Sequence, residues 1–335
     1  MPSRRGHGEG SIYQRSDNGI WCTVVDLGYV NGKRKRKYIY GKTRKEVAEK
    51  LKVVLRDQQQ GMVSRTTERQ TVAQFLDRWL AEKVQAKNRP KTFHSYSQIV
   101  RLYIVPGLGK IQLAKLTTED IDTLLNRKLA AGLSPRTVQY IRAILRMALA
   151  QALKWQLVPR NVAALTDAPK VERFTTHPLT QVQARQLLTA AQGDRLEALY
   201  CVALSLGLRQ GEALGLRWED VDLDAQTLRV AVALQSVGGK RVLSRPKTAT
   251  SCRTLTMPAA LIGKLREHRI RQLEEQQLAG TRWRDHGLVF ASTVGTPMIP
   301  RNLVRSFKAL LERAGLPDVR FHDLRHSCAS RARPK

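Results

Sequence analysis

Two short arginine-containing segments in the last part of the chain carry residue types suited to phosphate chemistry. In the first, Arg209 follows directly after a break in an apolar helical pattern, and Glu212 lies three residues further on. In the second, His322, Arg325 and His326 fall at positions i, i+3 and i+4, which share one face of a helix. Each segment alone is also typical of a basic helix end that the helix dipole favours. Neither would indicate catalysis by itself.

A third segment, Pro246-Lys247-Thr248, lies between two runs that predict strands. The order of the three segments, GLRxGE, then PKT, then HxLRH, resembles the catalytic boxes of the tyrosine recombinases, the phage and transposon integrase family. Any one of these patterns is weakly specific, whereas the set at these separations is specific. The resemblance extends over essentially the whole chain.

The resemblance implies a transesterification in which a tyrosine oxygen attacks a DNA phosphodiester, forms a 3′-phosphotyrosyl link and frees a 5′-hydroxyl. Arg209 and Arg325 match the residues that would stabilise charge on the phosphate, because a guanidinium is a fixed fork of donors that stays protonated. Lys247 is the candidate proton donor to the leaving 5′-oxygen. His322 would hydrogen-bond the phosphate or assist proton transfer at the tyrosine. The chemistry needs no metal, ATP or other cofactor.

Two further residues of the boxes, Glu212 and His326, are interpreted differently. Glu212, one helical turn from Arg209, is expected to hold that guanidinium in place rather than to act as a base. His326 stays open between a role in the site and a role in packing its helix. We expect neither a metal site nor a bound cofactor.

The tyrosine that the family uses as its nucleophile has no counterpart after the boxes. In the family the helix that begins at HxLRH continues as an apolar stretch and is followed by a second His or Trp box and then by the tyrosine. Here residues 331–335 are polar and basic, and all tyrosines precede Arg209. We therefore expect a C-terminally truncated chain, through a frameshift, a premature stop codon or deliberate shortening. The tyrosines are Tyr13, Tyr29, Tyr38, Tyr40, Tyr96, Tyr103, Tyr140 and Tyr200.

The elements that must position the boxes form a mixed α+β region, which we place at residues 175–335 and interpret as the catalytic domain, incomplete. Apolar periodicity predicts strands at Leu228–Gln235 and Cys252–Met257 around the turn Gly238-Gly239, and a short strand at Leu288–Phe290. Helices are predicted at Thr180–Gln192, Arg195–Leu206, Pro258–Gln277 and Arg301–Ala314.

Residues 66–168 read as almost wholly helical and resemble the SAM-like core-binding domain of the family. Thr71 to Lys87 and Thr92 to Val105 have helical spacing, a third helix opens at Thr118, and Ser134-Pro135 begins a long fourth. Arg136 and Arg142 on this last helix are candidate DNA contacts, although each alone is as typical of solvated surface.

Residues 1–65 predict a three-stranded sheet followed by one helix, at Thr43–Gln60, and resemble an arm-type DNA-binding domain. Hairpin turns are indicated at Asp17-Asn18-Gly19 and Asn31-Gly32. A basic run beside the second turn is either a solvated turn or a DNA contact, and the charge of the whole chain favours DNA. This run is Lys33, Arg34, Lys35, Arg36 and Lys37. The predicted fold class is thus mainly α with small β elements.

The composition supports a nucleic-acid partner. The 335 residues carry a formal net charge of +30, and all three regions are basic, which favours a clamp around duplex DNA over a single basic tail. Four dispersed cysteines suggest neither a zinc site nor disulfides, and no apolar run reaches membrane-span length. We expect a cytoplasmic, nucleoid-associated protein of bacterial or phage origin that binds double-stranded attachment sites and self-associates on them, as the tetrameric assembly of the intact family implies.

Three functions compete. The first is an integrase-type strand transferase whose chain is incomplete, and the second is a non-catalytic DNA-binding protein that occupies attachment sites. The third is a metal-dependent nuclease, which would need clustered carboxylates. The one acidic cluster lies in a helix-to-strand connection without a spaced partner, which disfavours this third function. The cluster consists of Glu212, Glu219, Asp220, Asp222 and Asp224.

Overall fold

The computed structural model describes residues 11–30, 33–59, 69–172, 178–245 and 252–331. The chain divides into two compact units, one on each side of the peptide bond between Val171 and Glu172. This boundary falls in the linker predicted between residues 168 and 175. The division of the chain into three domains stays a prediction. No helix in these described ranges is long and apolar enough to cross a membrane.

The N-terminal part of the first unit is an antiparallel three-stranded sheet with one helix. The strands are β1 (Tyr13–Gln14), β2 (Trp21–Val30) and β3 (Lys33–Gly41), and the helix is α1 (Arg44–Gln59). Since β3 begins at Lys33, the basic run belongs to a strand rather than to a turn. The predicted turn at Asn31-Gly32 and the helix end at Gly61 lie outside the described residues.

The two faces of this sheet differ in character. The face toward α1 holds Val25 and Ile39, which form a small core with Val47 and Leu51 of the helix. On the other face Cys22 lies opposite both Tyr13 and Tyr40, because directly paired residues of neighbouring strands point to the same side. The sheet therefore presents an exposed aromatic face with basic residues at one end.

The rest of the first unit is helical, as its caps predict. Thr71 and Thr117 form capping boxes, and Ser134 accepts from the backbone of Thr137 with Pro135 in the first turn. The predicted helix from Thr71 to Lys87 contains one π-helical stretch at Leu80–Val84, and the next contains another at Val100–Ile104. The helices are α2 (Val72–Trp79), α3 (Gln85–Lys87), α4 (Pro90–Ile99), α5 (Val105–Leu108), α6 (Thr118–Ala130) and α7 (Pro135–Lys154).

The second unit, which contains the GLRxGE and HxLRH segments, consists of helices and small sheets. Its central helix α9 is apolar along most of its length and is buried with Phe307 and Phe290 in one core. The helices are α8 (Gln181–Ala190), α9 (Glu197–Leu206), α10 (Gln210–Leu214), α11 (Ala259–Ala279), α12 (Pro300–Arg313) and α13 (Asp323–Arg331). The strands are β4 (Val221–Asp222), β5 (Thr227–Val230), β6 (Ala233–Val237), β7 (Lys240–Ser244) and β8 (Arg253–Thr256).

Two strand predictions in this unit are wrong in detail. The predicted strand Leu228–Gln235 is two strands, because β5 pairs with β4 and β8 whereas β6 pairs with β7 across the Gly238-Gly239 turn. The alternation of apolar residues continues through the break, so the pattern does not reveal it. The predicted strand Leu288–Phe290 is a buried segment with a single bridge, from Leu288 to Arg217.

Candidate active site

The centre of the site is the buried carboxylate of Glu212 on α10. Its Oε1 accepts from Nη1 of Arg209 at 2.7 Å, and its Oε2 accepts from the Arg209 backbone N–H at 3.1 Å. Oε2 also accepts from Nη2 of Arg253, at the start of β8, at 2.9 Å. The Glu212 side chain is 3% exposed and that of Arg209 is 50% exposed. One buried anion therefore holds two guanidiniums, of which Arg209 is open to solvent.

These hydrogen bonds keep Glu212 ionised. Burial is the largest influence and by itself raises the pKa of Glu212, but the hydrogen bonds from Arg253 and Arg209 outweigh it and lower the pKa below its ordinary value. Glu212 is therefore a charged anchor across the neutral range and not a proton-transfer group. The role of Glu212 as a support for Arg209 stays a prediction, and the hydrogen bonds from Arg209 are the contacts that this role requires.

Arg325 reaches the same cluster from α13. Its Nη1 donates to the carbonyl oxygen of Gly207 at 2.5 Å. Burial first, and then the positive charge of Arg209, lower the pKa of Arg325, while Glu212 opposes this. Arg253 contributes to the lowering in the same way. A guanidinium stays protonated even so, and three of them gather around one carboxylate, which leaves an excess of positive charge for an anion.

Glycines make this close assembly possible. α9 ends at Gly207 with φ of 60°, a left-handed conformation that turns the chain into the Arg209 segment. α10 then lies against the backbone of β6, so that a Cβ at Gly211 would be 2.7 Å from the carbonyl oxygen of Leu234. A Cβ at Gly215 would be 2.7 Å from the Leu234 nitrogen. The glycines of the GLRQGEALG segment thus permit the contact of α10 with the sheet.

The start of α13 is held firmly in place. The buried carboxylate of Asp323 accepts from the Arg320 backbone N–H and from its Nη2, both at 2.9 Å. One turn later the Ser327 hydroxyl donates to the Asp323 carbonyl and accepts from the Leu179 N–H. These bonds hold the start of the helix that carries Arg325, and His322 directly precedes that helix.

His322 directly precedes α13. It is exposed, and its ring lies 5.5 Å from that of His326, centroid to centroid, at 85°. Burial of part of the ring, followed by the charges of His326 and Arg325, lowers the pKa of His322 below its ordinary value. His322 is therefore neutral near neutral pH, as a hydrogen-bonding or proton-accepting role requires.

Lys247 lies outside the described residues, between β7 and β8 in the sequence. Tyr200, in contrast, is in the core of the second unit: its side chain is completely buried against Phe307, and burial raises its pKa above the ordinary value. Tyr200 therefore lacks the exposure and the lowered pKa that an activated nucleophile needs.

The acidic residues that a nuclease would need are engaged in separate ion pairs and hydrogen bonds. Arg217 pairs with both Glu219 and Asp220, and Asp222 accepts backbone N–H groups of the turn that follows. Within the described parts of the chain no group of three or more His, Cys, Asp or Glu side chains could hold a metal ion.

The predicted DNA contacts of the first unit lie in two places. On β3, Arg34 forms an ion pair with Asp26 of β2, and Arg36 is exposed. Lys37 is half-buried, opposite Val25 on the face toward α1. The side chains of Lys33 and Lys35 lie outside the described residues.

On α7, Arg136 is exposed at the rim of a shallow basic groove, which continues along Tyr140 and Arg146. Arg142 lines the same groove, but its guanidinium donates to the hydroxyl and the carbonyl oxygen of Thr166. Arg142 therefore anchors the segment after α7 and has fewer donors left for a phosphate than Arg136.

One member of the charge cluster is absent from the sequence-based prediction. Arg253 opens β8, a strand that the pattern does predict within Cys252–Met257, yet an arginine at a strand start is indistinguishable from solvated surface. Its partner Glu212 lies on another element, far away in sequence. Only the folded chain brings the two together.

Comparisons with known proteins agree with the fold and the boxes. Residues 177–332 match the phage integrase family, and residues 71–129 match the phage integrase N-terminal SAM-like domain. An integrase of Streptomyces ambofaciens is 33% identical over 98% of this chain and 86% of its own length. A XerC-like tyrosine recombinase of Caldanaerobacter subterraneus subsp. tengcongensis is 31% identical over 95% of this chain and 86% of its own length.

Solved structures show the same fold. The Tn1549 transposon integrase in complex with a circular intermediate DNA has a TM-score of 0.65, at 20% identity, over 78% of this chain and 86% of that one. A lambda integrase dimer bound to a core site has a TM-score of 0.55, at 20% identity, over 98% of this chain and 88% of that one. Two domains match, and the similarity extends over nearly the full length of the chain. This protein therefore belongs to the phage integrase family of tyrosine recombinases, which are site-specific DNA recombinases.

Proposed function

We propose that residues 1–335 bind duplex attachment-site DNA and hold the phosphate at the exchange point against Arg209 and Arg325. The observation that carries this proposal is the convergence of the two guanidiniums on the α9–α10 turn, one through Glu212 and one through Gly207. Because the Arg209 guanidinium donates to Glu212 through Nη1 while half of the side chain is exposed, donors remain for non-bridging phosphate oxygens.

The proposed reaction is that of the family. A tyrosine oxygen attacks phosphorus, the bond from phosphorus to the 5′-oxygen breaks, and a 3′-phosphotyrosyl link forms. Lys247 gives a proton to the leaving 5′-oxygen, which departs as a hydroxyl. Neutral His322 accepts a hydrogen bond or the tyrosine proton, as its lowered pKa favours. The two arginines neutralise the charge that develops on the phosphate.

In residues 1–335 no tyrosine follows Arg209, and Tyr200, which precedes it, is enclosed in the core. We therefore propose that residues 1–335 bind DNA without forming the covalent link. A protein with these properties would occupy attachment sites and could block an active recombinase there, which is the second candidate function.

The first unit would supply further contacts to the duplex. The aromatic and basic face of the N-terminal sheet has the composition of sheets that enter a DNA groove, and the groove beside α7 offers Arg136 and Arg146. A lambda integrase tetramer bound to a Holliday junction shares the fold, with a TM-score of 0.56. By analogy we propose that this chain self-associates on DNA.

Binding is tested by fluorescence anisotropy with a labelled duplex. The affinity should fall by orders of magnitude between about 50 mM and about 200 mM salt, since each phosphate contact releases counterions. Deleting residues 1–65 should abolish binding to distal sites and spare the core site. Binding that is weak at low salt, or flat across this range, would contradict the proposal.

Strand transfer is tested on a nicked duplex that traps a covalent adduct. Residues 1–335 should form none, while the chain extended after about Ser330 with a family C-terminal segment should form one without added metal. In the extended chain Arg209→Ala or Arg325→Ala should slow adduct formation by about 100-fold or more. An adduct from residues 1–335 alone would identify a nucleophile among them.

A further inference from the structure

We propose that Arg253 is a positioning residue for Arg209 and acts on it through Glu212. The inference rests on the proposed phosphate-binding role of Arg209 and Arg325. Glu212 divides its two oxygens between the arginines: Oε1 accepts from Arg209 Nη1 at 2.7 Å, and Oε2 accepts from Arg253 Nη2 at 2.9 Å. Arg253 thereby restrains the carboxylate oxygen that does not accept from the Arg209 side chain.

The three side chains differ in how much of each is exposed to solvent, which indicates different roles. Glu212 is 3% exposed, Arg253 is 24% exposed and Arg209 is 50% exposed. Arg253 is therefore the less exposed of the two arginines that Glu212 holds, and Arg209 is the more open to solvent. A phosphate that approaches from solvent contacts Arg209 first. Arg253 influences the charge and the orientation of the carboxylate that holds Arg209.

The charge of Glu212 depends on Arg253. Among the groups that lower the pKa of Glu212, the hydrogen bond from Arg253 is the strongest, and it opposes the effect of burial. Without Arg253 the carboxylate keeps its hydrogen bonds from Arg209 and can rotate to offer the Arg209 guanidinium both oxygens. Arg209 would then be drawn toward Glu212, with fewer of its donors directed to a phosphate.

The position of Arg253 in the fold gives this link its rigidity. Arg253 is the first residue of β8 and pairs with Val230 of β5. Its backbone is therefore fixed by a sheet, whereas Glu212 belongs to the short helix α10. The salt bridge from Arg253 to Glu212 ties α10 to that sheet at the point where Arg209 emerges.

The test uses the full chain with isotope-labelled arginine and inorganic phosphate as the probe. Guanidinium resonances of Arg209 and Arg325, assigned with Arg→Lys variants, report both phosphate binding and the rotation of each guanidinium. The variants are Arg253→Ala and Arg253→Lys, and the matched control is Arg229→Ala, which removes an exposed arginine from neighbouring strand β5. Urea unfolding of every variant separates loss of fold from loss of positioning.

In the parent chain phosphate should shift the Arg209 and Arg325 signals saturably. Arg253→Ala should weaken phosphate binding about tenfold, by analogy with the partners that lie behind metal ligands, and should change the rotation rate of the Arg209 guanidinium in the folded protein. Arg253→Lys should restore most of the affinity, and Arg229→Ala should leave it unchanged.

The outcomes separate the two proposals. If phosphate shifts neither arginine in the parent chain, the proposed phosphate-binding role is wrong. If phosphate binds the parent chain and binds Arg253→Ala equally well, with the same Arg209 rotation rate, only the role of Arg253 is overturned. The same holds if Arg253→Ala lowers stability alone and leaves the Arg209 spectrum of the folded protein unchanged.

Discussion

Glu212→Gln is the substitution that most directly tests the charge cluster. The change keeps the shape of the side chain and removes the negative charge that Arg209 and Arg253 share. Breaking a buried ion pair by removing one partner typically costs about 3–5 kcal/mol, because the other charge stays desolvated. Arg209 is half exposed and remains hydrated after the change, so we expect a smaller loss of about 2–3 kcal/mol in the free energy of unfolding.

The pH dependence of this loss has a definite sign. The pKa of Glu212 is lower in the folded chain than its ordinary value of 4.5, so its charge stabilises the fold above 4.5. This stabilisation disappears as the pH falls through the depressed pKa, where the carboxyl takes up a proton in the folded chain as well. The variant and the parent should therefore differ most near neutral pH and converge in acid.

Urea unfolding, followed by circular dichroism and tryptophan fluorescence, measures the difference. A loss of this size lowers the melting temperature of a unit of about 160 residues by roughly 5–10 °C. The control is Glu219→Gln, whose side chain is 65% exposed in its pair with Arg217 and should contribute at most about 1 kcal/mol. A Glu212→Gln variant as stable as Glu219→Gln near neutral pH, or an undiminished difference in acid, would refute the reasoning.

Three further substitutions have expected outcomes. Gly211→Ala places a methyl group 2.7 Å from a backbone oxygen of β6 and should cost about 1–3 kcal/mol in urea unfolding, whereas Gly263→Ala on α11, with open space around it, should be neutral or stabilising by about 1 kcal/mol. Tyr200→Phe removes a buried hydroxyl without a hydrogen-bond partner in the described structure, so the melting temperature should stay unchanged or rise. His322 has a folded pKa below 6.5, so the parent chain should lose stability as the pH falls below 6.5, and His322→Gln should remove that part of the pH profile of urea midpoints.

The helices could be predicted because their signals are local. A capping residue, a proline in the first turn and a 3.6-residue apolar period all lie within one helix, and Thr71, Thr117 and Ser134 mark the starts that the structure has. The first hairpin is predictable for the same reason, since its turn lies between its two strands. The π-helical stretches in the first unit have no comparable signal, because they change the hydrogen-bond pattern and leave the apolar period nearly intact.

The small sheets of the second unit were harder to predict because strand partners are chosen over long distances. The apolar alternation from Leu228 to Leu234 predicts one strand, yet residues up to Val230 pair with β8 and those from Ala233 pair with β7. The division coincides with the contact of α10 on β6, where Gly211 lets the two backbones approach. The side-chain pattern of a strand specifies its faces and leaves its neighbours undetermined.

The boxes can be recognised from the sequence, whereas the full membership of the charge cluster cannot. Arg209, Glu212 and Arg325 lie in segments with unusual local composition, so their chemistry could be predicted before their geometry. Arg253 has no such context, because its importance comes from the carboxylate it meets, and that carboxylate is buried only once α10 has packed on the sheet. The hydrogen bond from Arg253 helps to keep this buried anion charged, because burial alone favours the neutral form and would weaken its hold on Arg209.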